Sequence, residues 1–128
     1  MTMIAHVAVW TGDLERMAAF YRDHFGAVIG PRYESRRRPG FVSRFITLSQ
    51  GPAIEIMQLP QLKPAIAGAE RQGYAHLAIA LGSSDAVDRM ARRAETEGFL
   101  KSPPRRTGDG FYEAVIADPD GNPIEITP

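Results

Sequence analysis

Cysteine is absent from all 128 residues. Disulfides, thiolate metal sites and cysteine nucleophiles are therefore excluded, and any metal ion held by this chain must take nitrogen and oxygen donors. Charge of one sign is not in excess either, since 15 Lys and Arg balance 15 Asp and Glu. With no net field to gather polyanions, neither nucleic acid nor a membrane surface is expected as a partner. No apolar stretch approaches the ~20 residues that cross a bilayer. Residues 1–10 have neither the basic start nor the long apolar segment of a signal peptide, so a cytoplasmic protein is expected. The length suits a single domain over residues 1–128 that buries roughly two thirds of the unfolded chain's surface, and a hydrophobic share of 44% is ordinary for such a domain.

Against that plain background one pattern stands out. His6 and His76 lie 70 residues apart, and so do Glu55 and Glu125. Their neighbours repeat with them. His6-Val7-Ala8-Val9 matches His76-Leu77-Ala78-Ile79, and Pro52-Ala53-Ile54-Glu55-Ile56 matches Asn122-Pro123-Ile124-Glu125-Ile126. A duplicated supersecondary unit explains a shared offset.

The elements follow the same repeat. Residues 4–10 read as a strand. Asp13 is an N-cap for a helix carrying Leu14, Met17, Ala18, Tyr21 and Phe25, which stops at Gly26. Strands are expected at 27–34, 41–48 and 53–59, with a loop from Ser35 to Gly40 that holds Arg36, Arg37 and Arg38. This gives β-α-β-β-β for a first module over about residues 1–60. Residues 61–73 read as a connector. The second module, about 74–128, repeats the order. It has a strand at 74–81, a helix capped by Ser83 or Ser84 and ending at Gly98, a weak strand at 99–106 broken by Pro103-Pro104, and strands at 111–117 and 122–127 flanking the turn Asp118-Pro119-Asp120-Gly121.

Strand side chains alternate between faces. Val7, Val9, Ile54, Ile56, Leu77, Ile79, Ile124 and Ile126 suit a face covered by the helices. His6, Glu55, His76 and Glu125 all fall on the opposite face, with small Ala8, Ala78 and Ala80 beside the histidines. That face is expected to line a cleft walled by Trp10, Phe45, Met57, Phe111 and Val115, with Glu113 as a secondary cleft residue. His24, near the end of the first helix, suits a surface position favoured by the helix dipole. An arginine among Arg36-Arg37-Arg38 or Arg105-Arg106 is a candidate guide for an anionic substrate group.

Two imidazoles and two carboxylates suit a divalent cation, Zn or Ni first, with Fe, Co or Mn also compatible. Four protein donors on a six-coordinate ion leave two positions for adjacent oxygens of one substrate. The ion then acts as a Lewis acid that acidifies a neighbouring C–H and stabilises an enediolate. Glu55 or Glu125 is the candidate general base.

The chain is similar to members of the vicinal oxygen chelate superfamily, which groups glyoxalase I, bleomycin- and fosfomycin-resistance proteins, methylmalonyl-CoA epimerase and type I extradiol dioxygenases. The similarity rests on His6-Val-Ala-Val, on Asp13-Leu-Glu-Arg-Met-Ala-Ala-Phe-Tyr21 with Phe25-Gly26, and on Ile54-Glu55-Ile56. It also rests on Gly73-Tyr-Ala-His76-Leu-Ala-Ile79 and on Asp118-Pro-Asp-Gly-Asn-Pro-Ile-Glu125-Ile126. It implies an α+β fold of two βαβββ modules forming a curved mixed-sheet cup with helices outside, a small-molecule substrate and a homodimer. The His6, Glu55, His76, Glu125 set resembles the glyoxalase I pattern. Bacterial glyoxalase I carries a glutathione-binding arginine where this chain has Trp10, and a glutathione-contacting asparagine where it reads Ile56-Met57-Gln58-Leu59. The resemblance thus implies the lyase chemistry with a different small substrate. Two alternatives belong to the same superfamily: extradiol ring cleavage with His6, His76 and Glu125 on Fe(II), and non-catalytic drug or antibiotic binding.

Overall fold

A computed structural model describes residues 1–66, 68 and 70–128. The chain divides into two compact units, Met1–Ala65 and Ile66–Pro128, so the boundary falls inside the expected connector. Each unit is a mixed sheet with one helix packed on one of its faces, an α+β architecture.

In the first unit the elements are β1 (His6–Trp10), α1 (Leu14–Phe25), β2 (Val28–Ile29), β3 (Tyr33–Glu34), β4 (Val42–Thr47) and β5 (Ala53–Gln58). The sheet order is β1-β5-β4-β2, with β3 also on β4. β1 runs parallel to β5, and the other pairings are antiparallel. The expected strand at 27–34 is a pair of two-residue pieces instead. Gly30 and Pro31 lie between them, and proline has no N–H to give a ladder.

The helix boundaries follow local chemistry. Asp13 Oδ1 accepts from Arg16 N at 3.1 Å, satisfying one free donor of the first turn. A second comes from outside the helix, because Leu14 N donates to Gln58 Oε1 at 2.8 Å. At the other end Gly26 takes φ +64, and its N–H reaches back to Arg22 O. Leu14, Met17, Ala18 and Tyr21 are buried on one side of α1 with Ile46, Ile54 and Ile56 of the sheet. Each such fully buried aliphatic side chain contributes roughly 1.5–3 kcal/mol. His24 departs from the expected surface position. It is half-buried, its ring 4.9 Å from that of Phe20.

The second unit contains β6 (Leu77–Ala80), α2 (Ser84–Glu97), β7 (Leu100–Arg106), β8 (Tyr112–Ala117) and β9 (Pro123–Thr127), with sheet order β6-β9-β8-β7. β6 runs parallel to β9. Ser83 is the N-cap, its Oγ accepting from Ala86 N at 3.1 Å, and Gly98 closes the helix at φ +88. Val87, Ala91 and Ala94 are buried with Ile79, Ala114, Ile116, Ile124 and Ile126. Two expectations are corrected here. β6 begins at Leu77, so His76 precedes the strand. Pro103-Pro104 does not break β7, which runs through both prolines. β7 is an edge strand, and its pairing with β8 shifts register between Leu100 and Ser102 and again between Ser102 and Arg105. Those irregularities accommodate residues without a donor. Among the described residues no helix is long and apolar enough to cross a membrane.

Candidate metal centre

The helix-free face of the first sheet is a short lattice of side chains. One cross-strand row holds His6 and Ala53. The next holds Ala8, Glu55 and Phe45, and the third holds Trp10, Met57, Ser43 and Tyr33. Glu55 sits on the central strand, between the small Ala8 and the ring of Phe45. Because Ala8 takes little space, His6 reaches diagonally over it. His6 Nε2 lies 3.8 Å from Glu55 Oε1. The His6 ring meets Phe45 edge-on, with centroids 5.4 Å apart.

The second sheet repeats the arrangement. Glu125 lies between Ala78 and Val115, as Glu55 lies between Ala8 and Phe45. His76 Nε2 stands 3.0 Å from Glu125 Oε2. Two donors about 2.1 Å from one ion at near-right angles are about 3 Å apart. The second pair meets that spacing as it stands, and the first needs a side-chain adjustment of under an ångström. The donor chemistry and spacing fit a divalent ion. Among the described residues no group of three or more histidine, aspartate or glutamate side chains is arranged to hold a metal ion.

Glu113, expected as a secondary cleft residue, is half-buried on β8. Its carboxyl is pushed upward from the ordinary range, first by a hydrogen bond with Glu125, then by burial and by the negative charge of Glu125, with Arg105 opposing. A hydrogen bond between two carboxyl groups needs a proton on one of them, so Glu113 keeps its proton to higher pH. Its Oε2 is buried and accepts from no protein donor among the described residues.

Trp10, Met57 and Phe45 share the open face of the first sheet. Phe111 belongs to the second unit, in the turn before β8, and is 64% exposed. Two residues missed in the sequence, Phe41 and Tyr33, join Trp10, and so does Arg38, one of the arginines expected to guide an anionic group. Phe41 meets Trp10 edge-on at 6.2 Å, Tyr33 meets Phe41 at 6.3 Å, and the Arg38 guanidinium lies 5.9 Å from the ring centres of both Trp10 and Phe41. The one available signal was the arginine run directly before Pro39-Gly40-Phe41.

A family model described as the Glyoxalase/Bleomycin resistance protein/Dioxygenase superfamily matches residues 3–126. Two curated relatives are alike along nearly their whole lengths. The uncharacterised protein PA2024 of Pseudomonas aeruginosa is 32% identical, over 97% of this chain and 86% of its own. The uncharacterised protein YwkD of Bacillus subtilis is also 32% identical, over 96% and 94%. Among solved structures, a glyoxylase/bleomycin resistance protein/dioxygenase domain from Frankia sp. EAN1pec superposes with a TM-score of 0.83 at 16% identity, covering 99% of this chain and 97% of that one. Glyoxalase I from Zea mays gives 0.76 at 23% identity over 98% of this chain and 44% of the maize chain. At these identities the structural matches establish the fold.

Proposed function

The chain belongs to the glyoxalase/bleomycin resistance protein/dioxygenase superfamily, and from that premise we propose that it is a metal-dependent lyase or isomerase of glyoxalase type. Its substrate is a small molecule with oxygens on adjacent carbons. The observation that carries the proposal is the recurrence of one imidazole–carboxylate pair, His6 with Glu55 and His76 with Glu125, at equivalent places of two sheets. Together the pairs offer two nitrogen and two oxygen donors, taken from one chain or from two copies in a homodimer. That set suits Zn or Ni, with Fe, Co or Mn as further candidates.

A divalent ion bound there supplies Lewis acidity toward the two substrate oxygens. The remaining work falls to side chains. His6 and His76 act as neutral donors. One of the two glutamates doubles as general base for the proton on one of the two oxygen-bearing carbons. Trp10, Phe45 and Met57 give the open face of the first sheet an apolar surface that limits water around the substrate. Trp10 in place of an arginine argues against glutathione adducts as substrates.

The test is metal analysis of tag-free protein. The wild type is expected to retain a divalent ion, and His76→Ala to lose it while keeping its far-ultraviolet circular dichroism. Negligible metal in both overturns the proposal. The wider 3.8 Å gap at His6 and Glu55 favours one second reading. In it His6, His76 and Glu125 alone hold Fe(II) for extradiol ring cleavage. Oxygen uptake with catechols under Fe(II) would support that reading, and its absence across a catechol panel would remove it.

A further inference from the structure

We propose that Trp10, Phe41 and Arg38 form a recognition site for an aromatic ring bearing a carboxylate. This names the substrate class of the site above and rests on that proposal for its catalytic meaning, though not for binding itself.

The sequence sets up the site through a fold-back. Residues 35–41 leave β3 and return to β4 in a tight loop, where Arg38 N donates to Ser35 Oγ and Phe41 N donates to Arg38 O. That loop brings the guanidinium over the sheet, 5.9 Å from the ring centres of both Trp10 and Phe41. The two rings stand nearly perpendicular with the guanidinium near both, and a guanidinium grips a carboxylate through two parallel N–H hydrogen bonds.

Arg38 also differs from the three arginines of this unit that are held in ion pairs. Arg44 and Arg32 both pair with Glu15, Arg32 pairs further with Glu34, and Arg22 pairs with Asp23. Among the described residues Arg38 is matched by no carboxylate, and an anion from outside would complete it. The rings around it are open: Trp10 is 43% exposed, Phe45 44% and Tyr33 57%. A soluble protein leaves that much aromatic edge uncovered on one face where a ligand uses it. Trp10 and Phe45 flank Glu55 and His6 on the same face, so a ring held by Trp10 and Phe41 lies beside the metal-binding pair of this unit.

Trp10 is the one tryptophan of the chain, so its fluorescence reports on the site directly. The probe is phenylacetate, excited beyond its own absorption. A saturable change in emission is expected with phenylacetate. At least about tenfold weaker binding is expected with acetate, which has no ring, and with 2-phenylethanol, which has no charge; a tenfold change is the size a single charge-assisted contact supplies. Arg38→Gln should weaken phenylacetate by about the same factor and leave 2-phenylethanol unchanged. Arg38→Lys, which keeps charge without the planar fork, should fall between. Equal binding of phenylacetate and 2-phenylethanol, or an unaffected Arg38→Gln, overturns the inference. Metal content measured on the same samples separates the two proposals. Phenylacetate binding to protein that retains no metal supports this site and overturns the metal-dependent lyase. Retained metal with no phenylacetate response overturns this site alone.

Discussion

The two units share their covered faces and differ on their open ones. Under the helices, Ile46, Ile54 and Ile56 of the first sheet correspond to Ile116, Ile124 and Ile126 of the second, and all six are buried. On the open faces the imidazole–carboxylate pairs match. Their surroundings do not. Trp10, Phe45 and Met57 in the first unit stand where the second has Ala80, Val115 and Thr127, and buried Ser43 stands where the second has Glu113. One copy has gathered aromatic bulk and the other an extra carboxyl group. Packing a helix on a sheet constrains both copies in the same way. The open face is free to differ wherever it does not hold a donor, and the differences mark where a ligand would be distinguished.

The strongest way to break this comparison is to test whether the covered faces are equivalent in energy. Ile56 and Ile126 have no exposed surface. Replacing either with alanine should cost about 2–5 kcal/mol of unfolding free energy, the usual range for emptying that volume in a core. Urea unfolding followed by circular dichroism measures both. A loss under about 1 kcal/mol at either position would show that its unit collapses around the gap, and that the matching sequences conceal unequal packing.

The turn before the last strand offers a smaller contrast. Asp118 is buried and accepts from Asp120 N and Asn122 N at 2.9 Å and from Asn122 Nδ2 at 2.8 Å. The first unit has Leu48 at the corresponding place. Asp118→Ala should cost about 1–3 kcal/mol, because it strands buried donors, while the same truncation at Leu48 removes no acceptor. Burial pushes the Asp118 carboxyl upward, against the hydrogen bonds from Asn122 and Asp120. For an acid with a raised folded value, the protonated form is the one favoured by folding. Its stabilising contribution is present at acid pH and declines as pH rises through the folded value. Asp118→Asn removes that dependence, and stability measured across the acid range should flatten relative to the wild type.

What was legible in the sequence was local. Asp13 with Gly26 and Ser83 with Gly98 bound the two helices because caps act within a turn of their own residue. Alternation in the strands put His6 and Glu55 on one helix-free face and Glu125 on the other because parity needs no knowledge of the partner strand, while His76, one residue before β6, follows only from the 70-residue repeat. The misses depended on distant neighbours. Pro103-Pro104 looks like a break until β7 proves to be an edge strand with an irregular ladder. His24 is the exception, because Phe20 stands one turn earlier on the same helix, at a spacing the sequence already held. The sequence offers Arg36, Arg37 and Arg38 alike as guides for an anionic group, and the place of Arg38 near Trp10 arises when the loop folds back, which no spacing along the chain encodes.

The smallest contrast lies at the helix starts, and it tests how far the two units are held alike. Both caps leave a first-turn donor paired, Arg16 N with Asp13 and Ala86 N with Ser83. Asp13→Ala and Ser83→Ala should each cost about 1 kcal/mol. The first unit has a further tie, from Leu14 N to Gln58 Oε1 across the sheet. The residue 70 places after Gln58 is Pro128, which has no side-chain acceptor. Gln58→Ala should therefore cost about 0.5–1.5 kcal/mol in its own right. Asp13 and Gln58 serve different donors, so the double variant should equal the sum of the singles to within about 0.5 kcal/mol. A larger coupling would mean that Gln58 orients the cap as well as satisfying Leu14. The start of α1 would then be fixed by the strand that carries Glu55, a constraint for which the second unit has no counterpart.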